Sequence, residues 1–400
     1  MNLSELREKI KNGEYNTVFE ELYGNADTGA RRAMAIIDRF EGLFGDREGV
    51  ALFSSPARVE LVGNHTDHAG GRAVAATITQ DILAVAAPEK GRVELYGVNC
   101  INIELDGREC HEEERGTNTA FARGMAERFG GGFVCVLDNR IPEGIGMASS
   151  AAFALLCGKI CDSFYSAMKS DPMRLALIGA EIENVCYGKP CGTLDHVTIA
   201  YGGTSYISFN TLIPIVKQIE LNLKDYQFYL VNTGETHVDK SQLYKGIVDD
   251  MRVAASFFGC NMLGIVPPEE FKERGEVLKH RHGERVYRRA LHFFDENKRV
   301  DFFAKTAAAG KQDMALYSIN GSGISSRSNL GNVHQRAVEA TAALKDVAAA
   351  VRIHGGGFGG AILCAVKLGK KGDFSRAMQA IFGANCIIPL QIRGTGVRQL

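Results

Sequence analysis

The segment that most limits how this chain can fold is Pro142-Glu143-Gly144-Ile145-Gly146-Met147-Ala148-Ser149-Ser150-Ala151-Ala152. It sits between a strand-like apolar run at residues 133–137 and a helical pattern that runs from Ser149 to about Ala167. Gly144 and Gly146 allow a tight turn that brings backbone N–H groups close to a ligand. Ser149 and Ser150 open a helix whose N-terminus favours negative charge, and Ala151 and Ala152 permit close packing. A strand, a glycine loop and a helix start in that order suit phosphate groups. A plain helix start with a serine cap is the competing reading of the same eleven residues.

The surrounding pattern predicts an α+β chain and not a regular βαβ alternation. Residues 1–48 read as helical, with Ser4 as the first cap and a second helix ending on a glycine. Short strands are predicted at 50–53, 59–62, 82–87, 93–96 and 205–209, and late ones at 351–354 and 361–367. Further helices are expected at 174–186, 240–258, 285–294 and 333–350. A length of 400 residues favours two domains, with the boundary in the stretch 211–224. No internal repeat or low-complexity tract interrupts the pattern.

Charge and cysteine usage exclude several classes. The 46 basic and 47 acidic residues leave a net charge of −1, which gives no footprint for nucleic acid or an anionic membrane. The densest basic run, KHRHGERVYRR at 279–289, reads as a solvated helix face. Ten scattered cysteines without a CxxC pair read as reduced thiols of a cytoplasmic protein. The polar N-terminus is not a signal peptide, and no apolar run reaches the roughly 18 residues that span a bilayer.

Three other segments carry polar chemistry. Residues 353–360, Ile-His-Gly-Gly-Gly-Phe-Gly-Gly, formally contain GxGxxG. A strand-like run follows them where a dinucleotide site needs a helix, so a glycine hairpin that leaves room for a ligand or another loop fits better. No GxxxxGK[ST] occurs, which excludes a P-loop. Residues 55–71 place Arg58 ahead of Gly63-Asn64-His65-Thr66-Asp67-His68. A metal site on His65, Asp67 and His68 and a solvated turn both remain open, but polar side chains between glycines suit a polyhydroxylated ligand. Residues 183–196 place Glu183 near a helix end and Asp195 after the turn Gly-Lys-Pro-Cys-Gly. One carboxylate could hold Mg²⁺ while the other acts on an acceptor hydroxyl.

In this order the four segments resemble the galactokinase branch of the GHMP small-molecule kinases. That family has an arginine strand leading to a GEHTDY-like sugar motif, then PxGxGLSSSAA, then an acid followed by PCG and an aspartate, and a late GGGFGG. The likeness spans residues 56–360. It implies a two-domain architecture: an N-terminal domain of the ribosomal S5 domain 2-like fold, a ferredoxin-like C-terminal domain, and an active site in the cleft between them. The implied division is a helical extension at 1–48, a sugar- and ATP-binding domain at 49–215 and a C-terminal domain at 216–400.

The resemblance also implies roles. Asp195 is the expected base at the anomeric hydroxyl of galactose, with Arg58 beside it. Asn64, His65, Asp67, Gly192 and Tyr244 are expected sugar contacts. Gly144, Ile145, Gly146, Met147, Ala148, Ser149 and Ser150 would hold the ATP phosphates, and Ser150 with Glu183 would ligate Mg²⁺. Sugar and ATP are the expected partners of a monomer or small homo-oligomer. Four positions depart from the family pattern: Asn64 replaces a glutamate, His68 a tyrosine, Ala148 a serine and Thr193 a hydrophobic residue. Asn64 keeps open a different sugar or amino sugar as substrate, and a non-catalytic sugar and ATP sensor is the reading from another class.

Overall fold

A computed structural model describes residues 1–98, 102–106, 111–189, 191–235 and 241–400. It has two sheets, and the mixed α/β character expected from the sequence is present. The larger sheet holds β1 (Ala51–Val62), β2 (Arg72–Glu89), β3 (Arg92–Gly97), β4 (Ile103–Asp106), β5 (Gly132–Asn139), β6 (Thr204–Ser208) and β7 (Ile215–Gln218). The second holds β8 (Tyr226–Glu235), β9 (Ala350–Ile353), β10 (Gly360–Lys367) and β11 (Ile387–Leu390) in the order β11-β8-β10-β9. That antiparallel order is the split βαβ arrangement of a ferredoxin-like domain. The last strand, β12 (Arg398–Gln399), returns to pair with β1 in the larger sheet.

The first helix is Leu3–Lys11, and its cap is Asn2. Asn2 Oδ1 accepts from Glu5 N–H while Glu5 accepts from Asn2 N–H, a reciprocal box that leaves Ser4 to bond Asp46. With Asn16–Tyr23 and Ala26–Phe44, this helix covers one face of the larger sheet. Leu6, Ile10, Phe19, Ile36 and Phe40 pack there on Leu52, Leu83, Val85 and Val136. Arg32 pins the layer, with Nη1 2.7 Å from Asp81 and Nε 2.7 Å from Asp138. Helices Asn118–Phe129, Ser149–Tyr165 and Leu194–Tyr201 cover the other face.

The two predicted strands at 50–53 and 59–62 are one strand, β1, whose twelve residues are all buried. Ser54, Ser55 and Arg58 broke the apolar signal because they are polar yet enclosed. Register shifts between Pro56 and Arg58 and between Glu60 and Val62 mark bulges that re-aim the strand's end. The helix expected at 285–294 runs Glu284–Ala308, and the one expected at 333–350 covers only Gln335–Ala343. The basic run at 279–289 is not one helix face. Gly283, at φ 93°, separates two helices, and Arg285 and Arg289 both reach Asp250 at 2.7 Å. The helix expected from Lys240 runs Ser241–Phe257, Lys240 itself lying outside the described residues. The stretch 211–224 contributes β7 to the larger sheet, and the second sheet begins only at β8. Among the described residues, no helix is long and apolar enough to cross a membrane.

Candidate active site

The bulged end of β1 delivers Arg58 to the phosphate-type loop. Its backbone N–H donates to Met147 O (3.3 Å), and its guanidinium donates to Gly146 O. The same side chain holds Asp195: Nε donates to Oδ1 at 2.8 Å and Nη2 lies 2.6 Å from that oxygen. Asp195 stands in the first turn of Leu194–Tyr201, and a third of its side chain stays open to solvent.

The loop itself is a chain of left-handed conformations, with φ of 74° at Gly144, 76° at Gly146 and 60° at Ala148. An added Cβ at Gly144 would meet open space, so its backbone angle and not packing calls for glycine. Helix Ser149–Tyr165 starts on Ala148 with no side-chain cap. That removes the serine-cap reading and leaves the first amides without a side-chain acceptor. Ile145 and Met147 are buried beneath the loop.

Ser150, on that helix, donates to Glu183 Oε1 at 3.0 Å. Glu183 is buried at the end of Pro172–Val185. Burial by itself would push its pKa up, but His196, Lys189 and Ser150 outweigh it and hold the carboxyl at about 2. Lys189 Nζ lies 3.3 Å from Oε1 and His196 Nε2 lies 3.1 Å from Oε2. The Ser150 and Glu183 oxygens stand as far apart as adjacent ligands on an octahedral Mg²⁺, about 3 Å. The pair therefore fits that ion.

The sugar-type loop, 63–71, turns back on itself through Thr66, whose hydroxyl donates to Arg72 O at 2.7 Å. Asp67 faces Gly192 so closely that a Cβ on the glycine would fall 1.9 Å from Oδ2. Burial opposes ionisation of Asp67, yet the neighbouring His68 and His65 hold its pKa below the usual range. His65, at φ 58°, has Nε2 2.8 Å from Gly356 O, so Nε2 carries the proton and donates. Desolvation and the nearby His68 lower its pKa to about 4. Tyr244 lies along His65 with ring centroids 6.0 Å apart and donates to Gly357 O at 3.1 Å.

Asn64 differs from the other expected sugar contacts. Its side chain is turned into the protein and only 1% of the residue is exposed. Nδ2 donates to Gly355 O (2.7 Å) and Glu60 Oε1 (3.4 Å), while Oδ1 accepts from Asn332 Nδ2 (2.9 Å) and Ser326 Oγ (3.3 Å). Both ends of the amide are occupied by protein groups.

Gly146, Asn64, His65 and Tyr244 meet the glycine hairpin at 354–360, while Arg58 meets Asp195, Ser150 meets Glu183 and Asp67 meets Gly192. Gly355 approaches Gly146, and Gly356 approaches His65 and Tyr244. Several supporting groups were not singled out from the sequence. Glu296, on the helix Glu284–Ala308, accepts from the amides of Gly63 (2.9 Å) and Asn64 (3.3 Å). His292 donates from Nε2 to Asn64 O at 2.8 Å, and Arg352 holds Glu60 at 2.7 Å. Lys189 was visible only as part of a turn.

Comparisons with known proteins point to one family. Residues 38–88 match the galactokinase galactose-binding signature and residues 118–203 match the GHMP kinase N-terminal domain. The galactokinase of Lactococcus lactis subsp. cremoris is 26% identical over 370 residues, covering 87% of this chain and 91% of its own. That of Bacillus subtilis is 27% identical over 294 residues, covering 68% of this chain and 73% of its own. A crystal structure of Lactococcus lactis galactokinase complexed with galactose superposes with a TM-score of 0.83 at 26% identity, covering 92% of this chain and all of the other. A mevalonate kinase superposes with a TM-score of 0.62 at 15% identity, covering 85% and 98% of the two chains, which speaks to the fold alone.

Proposed function

The chain belongs to the GHMP kinases, in their galactokinase branch, and on that footing we propose that it transfers the γ-phosphoryl group of ATP to the anomeric hydroxyl of galactose. One observation carries the reading. The Arg58 guanidinium bridges the Asp195 carboxylate and the Gly146 carbonyl, which ties an acceptor-side base to the phosphate-side loop.

In this reading residues 49–215 bind sugar and nucleotide. Residues 216–400 supply the hairpin that joins the two ligands' loops, and residues 1–48 cover the sheet. The amides at the start of Ser149–Tyr165 and the loop Gly144–Ala148 receive the phosphates. Ser150 Oγ and Glu183 would hold Mg²⁺, which neutralises phosphate charge when bound. Asp67, His65, Tyr244 and the Gly192 backbone orient the sugar hydroxyls. Asp195 accepts the proton of the anomeric hydroxyl as that oxygen attacks phosphorus. Arg58 keeps the carboxylate in place and offsets charge on the transferred group. Phosphoryl transfer asks a protein mainly for positioning and charge neutralisation, which these groups supply.

A different sugar was suggested by Asn64. Its amide is engaged on both sides by protein, so selectivity falls to His65, Asp67 and Gly192, and galactose is the reading retained. The test is ADP release with Mg-ATP and galactose, N-acetylgalactosamine, glucose, arabinose or fucose. Turnover led by galactose supports the proposal, and turnover confined to another sugar overturns it. Absence of turnover with all five, together with a galactose-raised melting temperature, would favour the sensor.

A further inference from the structure

The two oxygens of Glu183 face different neighbours. Oε1 faces Ser150 and Lys189, whereas Oε2 faces His196. Cys191 completes a second group: a Glu183 carboxylate oxygen, the Cys191 sulfur and a His196 ring nitrogen offer three ligand atoms that all lie within 4.8 Å of one another. Some point lies no more than about 2.8 Å from all three such atoms, so shifts of roughly half an ångström reach the Zn²⁺ distances of about 2.0–2.3 Å.

His196 supplies the second, independent observation. The residue is fully buried, and neither ring nitrogen completes a hydrogen bond among the described residues, although Nε2 lies 3.1 Å from Glu183. Nδ1 has no partner at all among the described residues, and a buried ring nitrogen left so calls for an explanation. Gly179, one turn before Glu183, makes the space for the ring: a Cβ there would fall 2.8 Å from His196 Cδ2. Cys191 is half-buried and is fixed by Asn184, whose Oδ1 accepts from the Cys191 N–H at 3.0 Å.

We propose that Glu183, Cys191 and His196 form a binding site for a thiophilic divalent cation such as Zn²⁺. Sulfur and imidazole select against Mg²⁺, which prefers oxygen, so this is a different site from the Ser150–Glu183 pair although it shares the carboxylate. Binding releases the Cys191 proton to solvent and places three protein ligands on the ion, with the remaining position for water. It also immobilises the turn 191–195, which carries Asp195. On the kinase reading above, on which this consequence alone rests, Zn²⁺ is a reversible inhibitor that competes with Mg²⁺ for Glu183.

The test uses the full chain without sugar or nucleotide, titrated with Co²⁺ as a spectroscopic substitute and with Zn²⁺ by equilibrium dialysis. One equivalent of Co²⁺ should bind with a thiolate-to-cobalt absorption in the near ultraviolet, and Zn²⁺ should displace it. Cys191→Ser, a small change at a partly exposed residue, should abolish the band. His196→Gln should weaken Zn²⁺ by at least about tenfold, with circular dichroism reporting that the fold is intact. Absence of the band, or its persistence at full intensity in Cys191→Ser, overturns the site. Metal binding and turnover are read separately, so a chain that binds Co²⁺ but releases no ADP keeps this site and loses the kinase reading.

Discussion

Replacing Asn64 by aspartate exchanges an NH₂ for an oxygen in a place where the amide now donates to Gly355 O and Glu60 Oε1. The variant sets a carboxylate against two acceptors in a residue that is 1% exposed. It can escape by taking up a proton, which costs about 1.4 kcal/mol for each pH unit above the ordinary aspartate pKa of about 3.9, or about 4 kcal/mol at pH 7. An unpaired buried charge costs a similar amount, about 3–5 kcal/mol, so the two routes agree. Protonated, the acid donates to Gly355 O again, and the penalty shrinks to about 1.5 kcal/mol at pH 5. Urea unfolding of wild type and Asn64→Asp at pH 7 and pH 5 measures both numbers. Against a domain stability of about 5–15 kcal/mol the pH 7 loss is large and easily read. A loss below about 1 kcal/mol at pH 7, accompanied by a changed sugar profile, would refute the argument and turn the side chain toward the ligand.

Other perturbations test separate parts of the site. Asp195→Ala should remove turnover while nucleotide affinity, measured by calorimetry, stays within about threefold; retained turnover would exclude Asp195 as the base. Gly192→Ala should displace Asp67 and lower kcat/KM for the sugar by about tenfold or more with ATP affinity unchanged, because the new methyl group and Oδ2 cannot share one position. Acid should weaken the fold in two steps. His65, with its pKa lowered to about 4, is protonated more readily when unfolded, so its share of stability is complete above pH 6.5 and is lost as pH falls toward 4. Glu296, held at about 2 by His292, Arg299 and Arg352 against the opposing effect of burial, contributes on the order of 3 kcal/mol above pH 4.5 that disappears as pH falls through 2. His65→Gln should flatten only the first step in a series of urea midpoints. Arg32→Ala should cost about 1.5–3 kcal/mol, the loss of its charged hydrogen bonds, because Asp81 keeps Arg393 and Asp138 keeps Arg140; it should be seen as proteolysis between the N-terminal helices and β1.

The site was legible because its chemistry lies in short contiguous runs: a glycine loop, a polar loop and a turn each announce themselves within about a dozen residues. The pairs Arg58–Asp195 and Ser150–Glu183 followed from family resemblance and are close in space as well. What failed was any inference that depended on polar residues at enclosed positions. β1 was split at its buried Ser54, Ser55 and Arg58, and the helix Glu284–Ala308 was cut short at the polar run 295–299, within which Glu296 is buried. The direction of Asn64 could not be seen either. Its partners Ser326, Asn332 and Gly355 are 262, 268 and 291 residues away, and no local pattern links them.

The hairpin at 354–360 touches the phosphate-side loop at Gly146 and the sugar-side loop at Asn64 and His65. A body shared by two ligand sites makes their affinities a single thermodynamic property. Whatever factor galactose applies to ATP binding by settling this hairpin, ATP must apply to galactose, because one coupling free energy serves both directions. Sugar affinity measured with and without nucleotide then differs by a factor whose logarithm, multiplied by RT, is the coupling free energy between the two sites.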